Sequence, residues 1–467
     1  MTRRLLIDVG LFETRAAVLD QDRLTDISYY RPGSSSAVGE IYLARIRAFS
    51  KEMDAAFIDL GTAGEGFLLS RDIPAKDKKA SISDRLQEGQ KIILQVIKDR
   101  KGDKECQLSA FPKLESQNIV YNPAGSGLSF SKKLKDTSLK EKITQILEGP
   151  LHKAGGSVTI RSCTSDRSLG TLEREFSGLI DTWLSLEQSA KTDTRARCLR
   201  PKDPPVISAY KKYAGTGLSV SINDRSSFEL LKNYCNAQES AIPSLNLWTE
   251  NDLLFDAAQI EEQIESATEK RVSLPSGGNI TIEQTEALIA IDVNSGSHTE
   301  TRQPATLALK TNQEAARVIC AQIRLRNLSG IIIIDFIQMQ GKGAVGQLTR
   351  RLQELTQPDP VAVRVIGMTE LGLMQLTRQR KEASLPDLLK VSLDTGSGTL
   401  PAHIASTLLR DIMRYGRSQK SANIPLKIGA KLVPLFKNKG REIENYLCVN
   451  IVWEEDKSRA AHEYQLG

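Results

Sequence analysis

Two apolar runs that each stop on an aspartate constrain this chain more than any other feature. "EALIAIDVNSGS" (Glu286 to Ser297) is uncharged from Ala287 to Ile291 and then reaches Asp292, and "GIIIIDFIQM" (Gly330 to Met339) ends its isoleucines on Asp335. Both read as buried strands carried straight into a carboxylate. Between them lies "TNQEAARVICAQIRLRNLSG", where Thr311 and Glu314 have capping-box spacing and Ala315, Val318, Ile319 and Ile323 line one face. Gly330 is then the expected helix stop. Strand, helix, strand predicts two parallel strands joined by a crossover, with both aspartates leaving the sheet at the edge where α/β proteins usually put their sites.

Adjacent strands lie about 4.8 Å apart, so two ionised carboxylates placed there repel by about 3 kcal/mol at an effective dielectric near 20. A shared proton relieves this. A hard divalent cation does so better at neutral pH and also brings chemistry: Mg²⁺ takes oxygen ligands, keeps several waters and bridges carboxylates to phosphate oxygens. Asn294 adds an amide beside the first aspartate, and Ser295 and Gly296 keep the following loop small. One aspartate at a strand end is ordinarily a turn or cap residue; the pair, with "DVNSGS" on one member, is what points to a site.

The chain has 467 residues, more than one core usually holds, so two to four domains are expected. Lys and Arg number 63 against 57 Asp and Glu, a net charge of +6 that permits polyanion binding without demanding it. Six cysteines stand singly, with no C-x-x-C pair, as expected of reduced thiols in a cytosol. The first residues lack a leader's apolar run, and nowhere do uncharged apolar residues extend for the roughly 18 positions a membrane span needs. A cytoplasmic protein without a membrane span is therefore expected.

Along the chain, the opening "RRLLIDVGLFETRAAVLDQDRLTDISYY" reads as a β-meander that "RPGSSSAVGE" breaks. Short strands with glycine turns at Gly61, Gly64, Gly66 and Gly102 then suggest a small all-β barrel over residues 36–117. "GGSVTIRSCTSD" looks like a strand entering a loop, and Leu172, Phe176, Leu179, Ile180 and Trp183 have helical spacing. "SAKTDTRARCLRPKDPP" (Ser189 to Pro205) reads as a linker too poor in apolar residues to pack. "VSLPSGGNITIEQTEALIAID" reads as a hairpin turning at "PSGG" and delivering the Asp292 strand, and "SLDTGSGT" (Ser392 to Thr399) precedes a small C-terminal α/β piece. The fold class expected is α+β / α/β multidomain.

A five-stranded barrel of this kind often binds single-stranded nucleic acid, with exposed aromatics stacking bases at about 1–3 kcal/mol each and Lys or Arg following the phosphates. Phe57 and Phe67 are the aromatic candidates. Lys98, Arg100, Lys101 and Lys104, in "KDRKGDK", are the cationic ones. Phe57 in "DAAFIDL" has core placement as its plain alternative, and a charged hairpin is usually just solvated.

"LPSGGNITIEQTEALIAIDVNSGS", "NQEAARVICAQIRLRNLSGIIIIDFIQM", "MTELGLMQLTRQR" and "IYLARI...DAAFIDLGTAGEGFL" together resemble the catalytic half of the ribonuclease E/G family. The likeness covers most of residues 1 to about 385 and is strongest from Glu261 to Arg380. It implies a ribonuclease H-like subdomain in two parts (1–35 and 205–272), an S1 RNA-binding domain (36–117), a 5′-sensor-like domain (118–204), a deoxyribonuclease I-like catalytic domain (273–391) and a small C-terminal domain (392–467). It implies that Asp292 and Asp335 hold Mg²⁺ in an endoribonuclease cutting single-stranded RNA, with Asn294 beside the scissile phosphate. Phe57 and Phe67 match the aromatics that hold RNA. Lys104 matches a basic residue near the cleavage site, with Lys98 and Lys101 as further backbone contacts. Arg161 matches a phosphate-binding arginine, and Ser162 keeps a hydroxyl where the family has threonine, so a 5′-phosphate would receive a guanidinium fork and an O–H donor.

Two departures stand out. "TRQRKEASLPDLLKVSLDTGSGT" has no cysteine where the family commonly shares zinc between subunits, so no zinc and no zinc-linked dimer are expected, while a homodimer held by other contacts stays open. Gln338 replaces a usually acidic residue in "DFIQM". The expected function is Mg²⁺-dependent cleavage of ribosomal RNA precursors or messenger RNA, leaving 5′-phosphate and 3′-hydroxyl ends. The rivals are a non-catalytic S1-type RNA-binding protein that has lost turnover, and a deoxyribonuclease or other phosphoesterase, which leaves the barrel without a role.

Overall fold

The computed structural model describes residues 3–31, 37–74, 81–100, 105–116, 118–131, 134–161, 164, 169–214, 217–237, 244–295, 304–339, 342–380, 382–389, 402–419, 422–460 and 463–467. They form two compact units: Met1–Tyr29, Ser219–Asp224 and Asn246–Gly467 in the first, Tyr30–Leu218 and Arg225–Leu245 in the second.

The first unit is organised by a six-stranded sheet in the order Arg271–Ser273, Asn279–Gln284, Leu288–Asn294, Gly330–Asp335, Leu373–Arg378, Val363–Met368. Its one parallel pairing joins the two aspartate-bearing strands; the other pairings are antiparallel. The crossover helix Pro304–Leu325 and the helix Lys342–Thr356 cover one face, where Ala315, Ile319, Ile323, Leu348 and Leu352 pack on Ile289, Ile291, Ile332, Ile334 and Met374. The isoleucine run is therefore not buried on both sides. Burial alternates along it, and Ile331 is 51% exposed on the open face.

The crossover helix differs from its expected bounds. It begins at Pro304, so Thr311 is a buried mid-helix residue, and the Glu314 carboxylate accepts from the Ser276 N–H at 3.0 Å, capping the neighbouring turn instead of its own helix. Asn327, at φ 50°, closes the helix rather than Gly330, with the Leu328 N–H returning to the Ile323 carbonyl at 3.0 Å. Asparagine tolerates this left-handed position because its short polar side chain bonds locally. The "PSGG" hairpin forms as expected, the Leu274 N–H donating to the Gly278 carbonyl at 2.8 Å. A further hairpin then delivers the Asp292 strand, which runs on to Asn294.

The opening meander, Arg3–Val9, Thr14–Asp20 and Arg23–Tyr30, is extended by Leu218–Ile222 and Ser244–Leu247 into a five-stranded sheet. The C-terminal α/β piece pairs helices Ala402–Gln419 and Val433–Leu447 with a three-stranded sheet around Leu408, Ile412, Ile424 and Leu426. Arg15 is the largest fully buried polar side chain of this unit. Its guanidinium donates to Asp8 at 2.6 Å and to Glu261 at 2.8 Å while lying 4.3 Å from the Phe255 ring.

In the second unit, strand Ile41–Ser50 pairs with both Ala55–Asp59 and Lys91–Lys98. This closes a five-stranded barrel through Glu65–Leu69 and Cys106–Ser109. Gly61 and Gly64 turn with positive φ, but Gly66 lies within a strand, where an added Cβ would sit 2.9 Å from both Cys106 Sγ and Leu108 Cδ1. Gly102 lies outside the described residues.

The linker expected over 189–205 is not one. The helix Leu169–Thr192 runs into it, and Arg197–Arg200 forms a strand on the edge of Ile41–Ser50. The strand is ordered by backbone pairing with Ile41–Ser50 and by Cys198 and Leu199, which pack on the cores at either side, and the Arg45 and Lys91 side chains donate to the Thr194 and Asp193 carbonyls. Beside the barrel, a four-stranded sheet carries the helices Thr137–Ala154 and Leu169–Thr192. Leu172 and Phe176 are fully buried, as their spacing predicts.

No helix among the described residues is long and apolar enough to cross a membrane. The described cysteines form no disulfide, and burial pushes the Cys320 thiol up to about 12, which keeps it protonated and unreactive.

Candidate active site

The parallel register sets Asp292 directly opposite Asp335. Residues paired in this way project from the same side of a sheet. Here it is the open side, because Ile291, Val293 and Ile334, their immediate neighbours, point into the core. Both aspartates are exposed. Thr281 and Leu373 flank them in the same row on the strands to either side, and Asn294 stands one step further along. The Asn294 amide donates to Asp292 Oδ2 at 2.7 Å, which orients that carboxylate. Among the described residues no Lys, Arg or His lies within ion-pair distance of either aspartate.

Behind Asp335 the backbone is clasped from below. Asn312 is completely buried in the crossover helix; its Nδ2 donates to the Ile337 carbonyl at 2.7 Å, and its Oδ1 accepts from the Ile337 N–H at 3.1 Å. One carboxamide thus satisfies both main-chain groups of a residue just past the strand end, where the sheet ladder no longer does. The sequence reading missed this residue. Its signal was present, since Asn312 falls in the same stripe as Ala315, Ile319 and Ile323, a polar residue on an apolar face. At the other end of the strand, buried Arg378 is bidentate to Asp359 at 2.9 and 3.2 Å and also reaches Asn327 Oδ1 and the Leu328 carbonyl, holding the helix exit against the sheet.

The donor set suits a hard divalent cation. Two carboxylates on neighbouring strands supply oxygen ligands and leave other coordination positions for water and phosphate oxygens. Among the described residues no group of three or more His, Cys, Asp or Glu gathers in metal-binding range.

On the barrel, Phe57 and Phe67 are direct cross-strand partners. Each alternates with core residues Ile58 and Leu68 and is half-buried on the outer face, so Phe57 is not a core residue. Phe67 pairs onward with Gln107, and Gln107 with Lys98, placing the two aromatics and the exposed Lys98 in one row across the sheet. Arg100 is already paired, with Glu105. Lys101 and Lys104 lie outside the described residues.

Arg161 follows strand Gly156–Ile160, and its guanidinium donates to the Glu115 carboxylate. Ser162 lies outside the described residues.

A family model, the ribonuclease E/G family, matches residues 113–381. The chain is 31% identical to ribonuclease G of Haemophilus influenzae over 428 residues, covering 88% of this chain and 86% of that protein. It is 29% identical to ribonuclease G of Escherichia coli strain K12 over 427 residues, covering 89% of this chain and 87% of that one. The chain belongs to the ribonuclease E/G family. It is an endoribonuclease, and RNA is its substrate. The match to ribonuclease E of Escherichia coli strain K12, 31% over 456 residues, spans 93% of this chain but 43% of that protein.

Proposed function

We propose that this endoribonuclease cleaves single-stranded RNA with Mg²⁺ held by Asp292 and Asp335. The observation that carries the reading is their register pairing on the open face of one sheet. When bound there, the cation supplies charge stabilisation for a phosphodiester at neutral pH. Asn294 holds the Asp292 carboxylate in place through one amide hydrogen and keeps its second donor for a phosphate oxygen. Asn312 fixes the chain beyond Asp335 so that the second carboxylate stays in row. In the reaction, water adds to phosphorus and the bond to the 3′ oxygen breaks, giving 3′-hydroxyl and 5′-phosphate ends.

Phe57 and Phe67 stack bases of the strand, with Lys98, Lys101 and Lys104 on its backbone. Arg161 and Ser162 take a 5′-phosphate. The subdomain assignments implied by the family resemblance, S1 for the closed barrel and deoxyribonuclease I-like for the six-stranded sheet, belong to the same proposal. So do a cytoplasmic setting and a role in ribosomal RNA processing or messenger RNA turnover.

The test is cleavage of an end-labelled single-stranded oligoribonucleotide with Mg²⁺, followed by mapping of both product ends. The expected products carry 5′-phosphate and 3′-hydroxyl groups, and excess chelator abolishes them. Full activity in chelator, or 2′,3′-cyclic phosphate ends, contradicts the reading. Phe57→Ala and Phe67→Ala are each expected to weaken RNA binding by about 1–3 kcal/mol.

A further inference from the structure

We propose that Glu115 masks the 5′-phosphate site, so that this chain cleaves RNA with little regard to the chemistry of its 5′ end. This rests on the reading of Arg161 as a phosphate ligand. The residues around Arg161 hold it rigidly: its N–H donates to the Asn118 carbonyl at 2.8 Å, and its own carbonyl accepts from Thr164 at 3.3 Å. The guanidinium is already engaged by Glu115, with the arginine side chain 29% and the glutamate 50% exposed.

Glu115 is not a wandering surface side chain. It pairs with Val120 in the sheet, and Val120 pairs with Thr159, two residues before Arg161, so Glu115, Val120 and Thr159 share one row. Leu114, Ile119, Val158 and Ile160 face the core, which leaves this row on the solvent side. The turn that follows is clamped by a buried carboxylate. Glu175 accepts from Ser116 Oγ at 2.6 Å, from the Asn118 N–H at 3.1 Å and from Asn118 Nδ2 at 2.6 Å. Glu115 is therefore preset at the rim where its oxygens meet Arg161. The buried Thr164 hydroxyl, three residues from Arg161, has no hydrogen-bond partner among the described residues.

A phosphate monoester and a carboxylate compete for the same planar fork of donors. The carboxylate is tethered and so competes at a high effective concentration. A phosphate that displaces it must then sit beside a like charge. Both terms lower the gain from a 5′-phosphate, and removing the carboxylate is expected to restore about tenfold.

The experiment compares kcat/KM for one oligoribonucleotide carrying either a 5′-monophosphate or a 5′-hydroxyl, using the full chain and the variants Glu115→Gln, Glu115→Ala and Glu115→Ala/Arg161→Gln. Melting curves confirm that each is folded. The wild type is expected to favour the phosphate by less than about twofold and the two single variants by about tenfold, with the double variant returning to the wild-type ratio. If the wild type already discriminates as strongly as Glu115→Ala, the mask is wrong while the phosphate site stands. If neither single variant discriminates, Arg161 is not a phosphate ligand and both readings fall.

Discussion

Asp8 and Glu261 flank the buried guanidinium of Arg15, which donates to both, and Glu261 also lies within 4 Å of Arg410 and Arg414. Asp292 and Asp335, in the same unit, stand side by side on an open sheet face, with the Asn294 amide donating to Asp292 and, among the described residues, no cation paired with either. The first set is balanced from inside the chain and serves the fold. The second can only be balanced from outside. A carboxylate pair that the chain leaves uncompensated is the mark of a site, and the two groups should answer to substitution in opposite ways.

The largest contrast is expected from Asp292→Asn and Asp335→Asn. Each should lower the single-turnover cleavage rate by about a thousandfold or more and leave the fold at least as stable as the wild type, because neutralising one carboxylate relieves the like-charge repulsion of the pair. Calorimetry together with single-turnover kinetics checks both halves. Glu261→Ala should do the reverse, costing about 2 kcal/mol of stability because the buried Arg15 guanidinium loses two charge-assisted hydrogen bonds and keeps only Asp8, while the folded fraction still cleaves at close to the wild-type rate. If Glu261→Ala leaves the melting curve unchanged, the comparison breaks.

Asn312→Ala tests the intermediate case, a structural contact placed immediately behind the strand end that carries Asp335. It should cost about 2 kcal/mol, because the Ile337 N–H and carbonyl lose their partner. It should also slow cleavage and raise the Mg²⁺ concentration needed for half-maximal rate, whereas a purely structural loss would leave the Mg²⁺ requirement alone.

The smallest effect is in pH. Burial pushes the Glu261 carboxyl up, but Arg15, Arg410 and Arg414 outweigh it and hold the group below its ordinary 4.5. A depressed folded value means that the stabilisation is complete above 4.5 and is lost as pH falls below it. The stability difference between wild type and Glu261→Gln should therefore shrink when unfolding is followed from about pH 6 to about pH 3.

How much of this was legible in the sequence follows from which features are local. The aspartate pair was, because strand, helix, strand in one direction admits few topologies and Asp292 and Asp335 occupy equivalent places in them. The alternation of Phe57 with Ile58 and of Phe67 with Leu68 was there as well. The true start of the crossover helix was not: Thr311 and Glu314 mimic a cap by spacing alone, and Glu314 was serving a turn distant in sequence. The strand Arg197–Arg200 was hidden because an edge strand is held by backbone pairing, which composition does not report. The Glu115–Arg161 pair was invisible for a related reason, since two residues far apart in sequence meet only through the register of three strands.

Titrating the intact chain with Mn²⁺ and following the free ion by electron paramagnetic resonance measures most directly whether two side chains share one cation. The wild type is expected to take up one ion at a site that Mg²⁺ empties competitively, and Asp292→Asn and Asp335→Asn are each expected to lose that uptake while melting no lower than the wild type. Undiminished uptake in both variants would contradict the account.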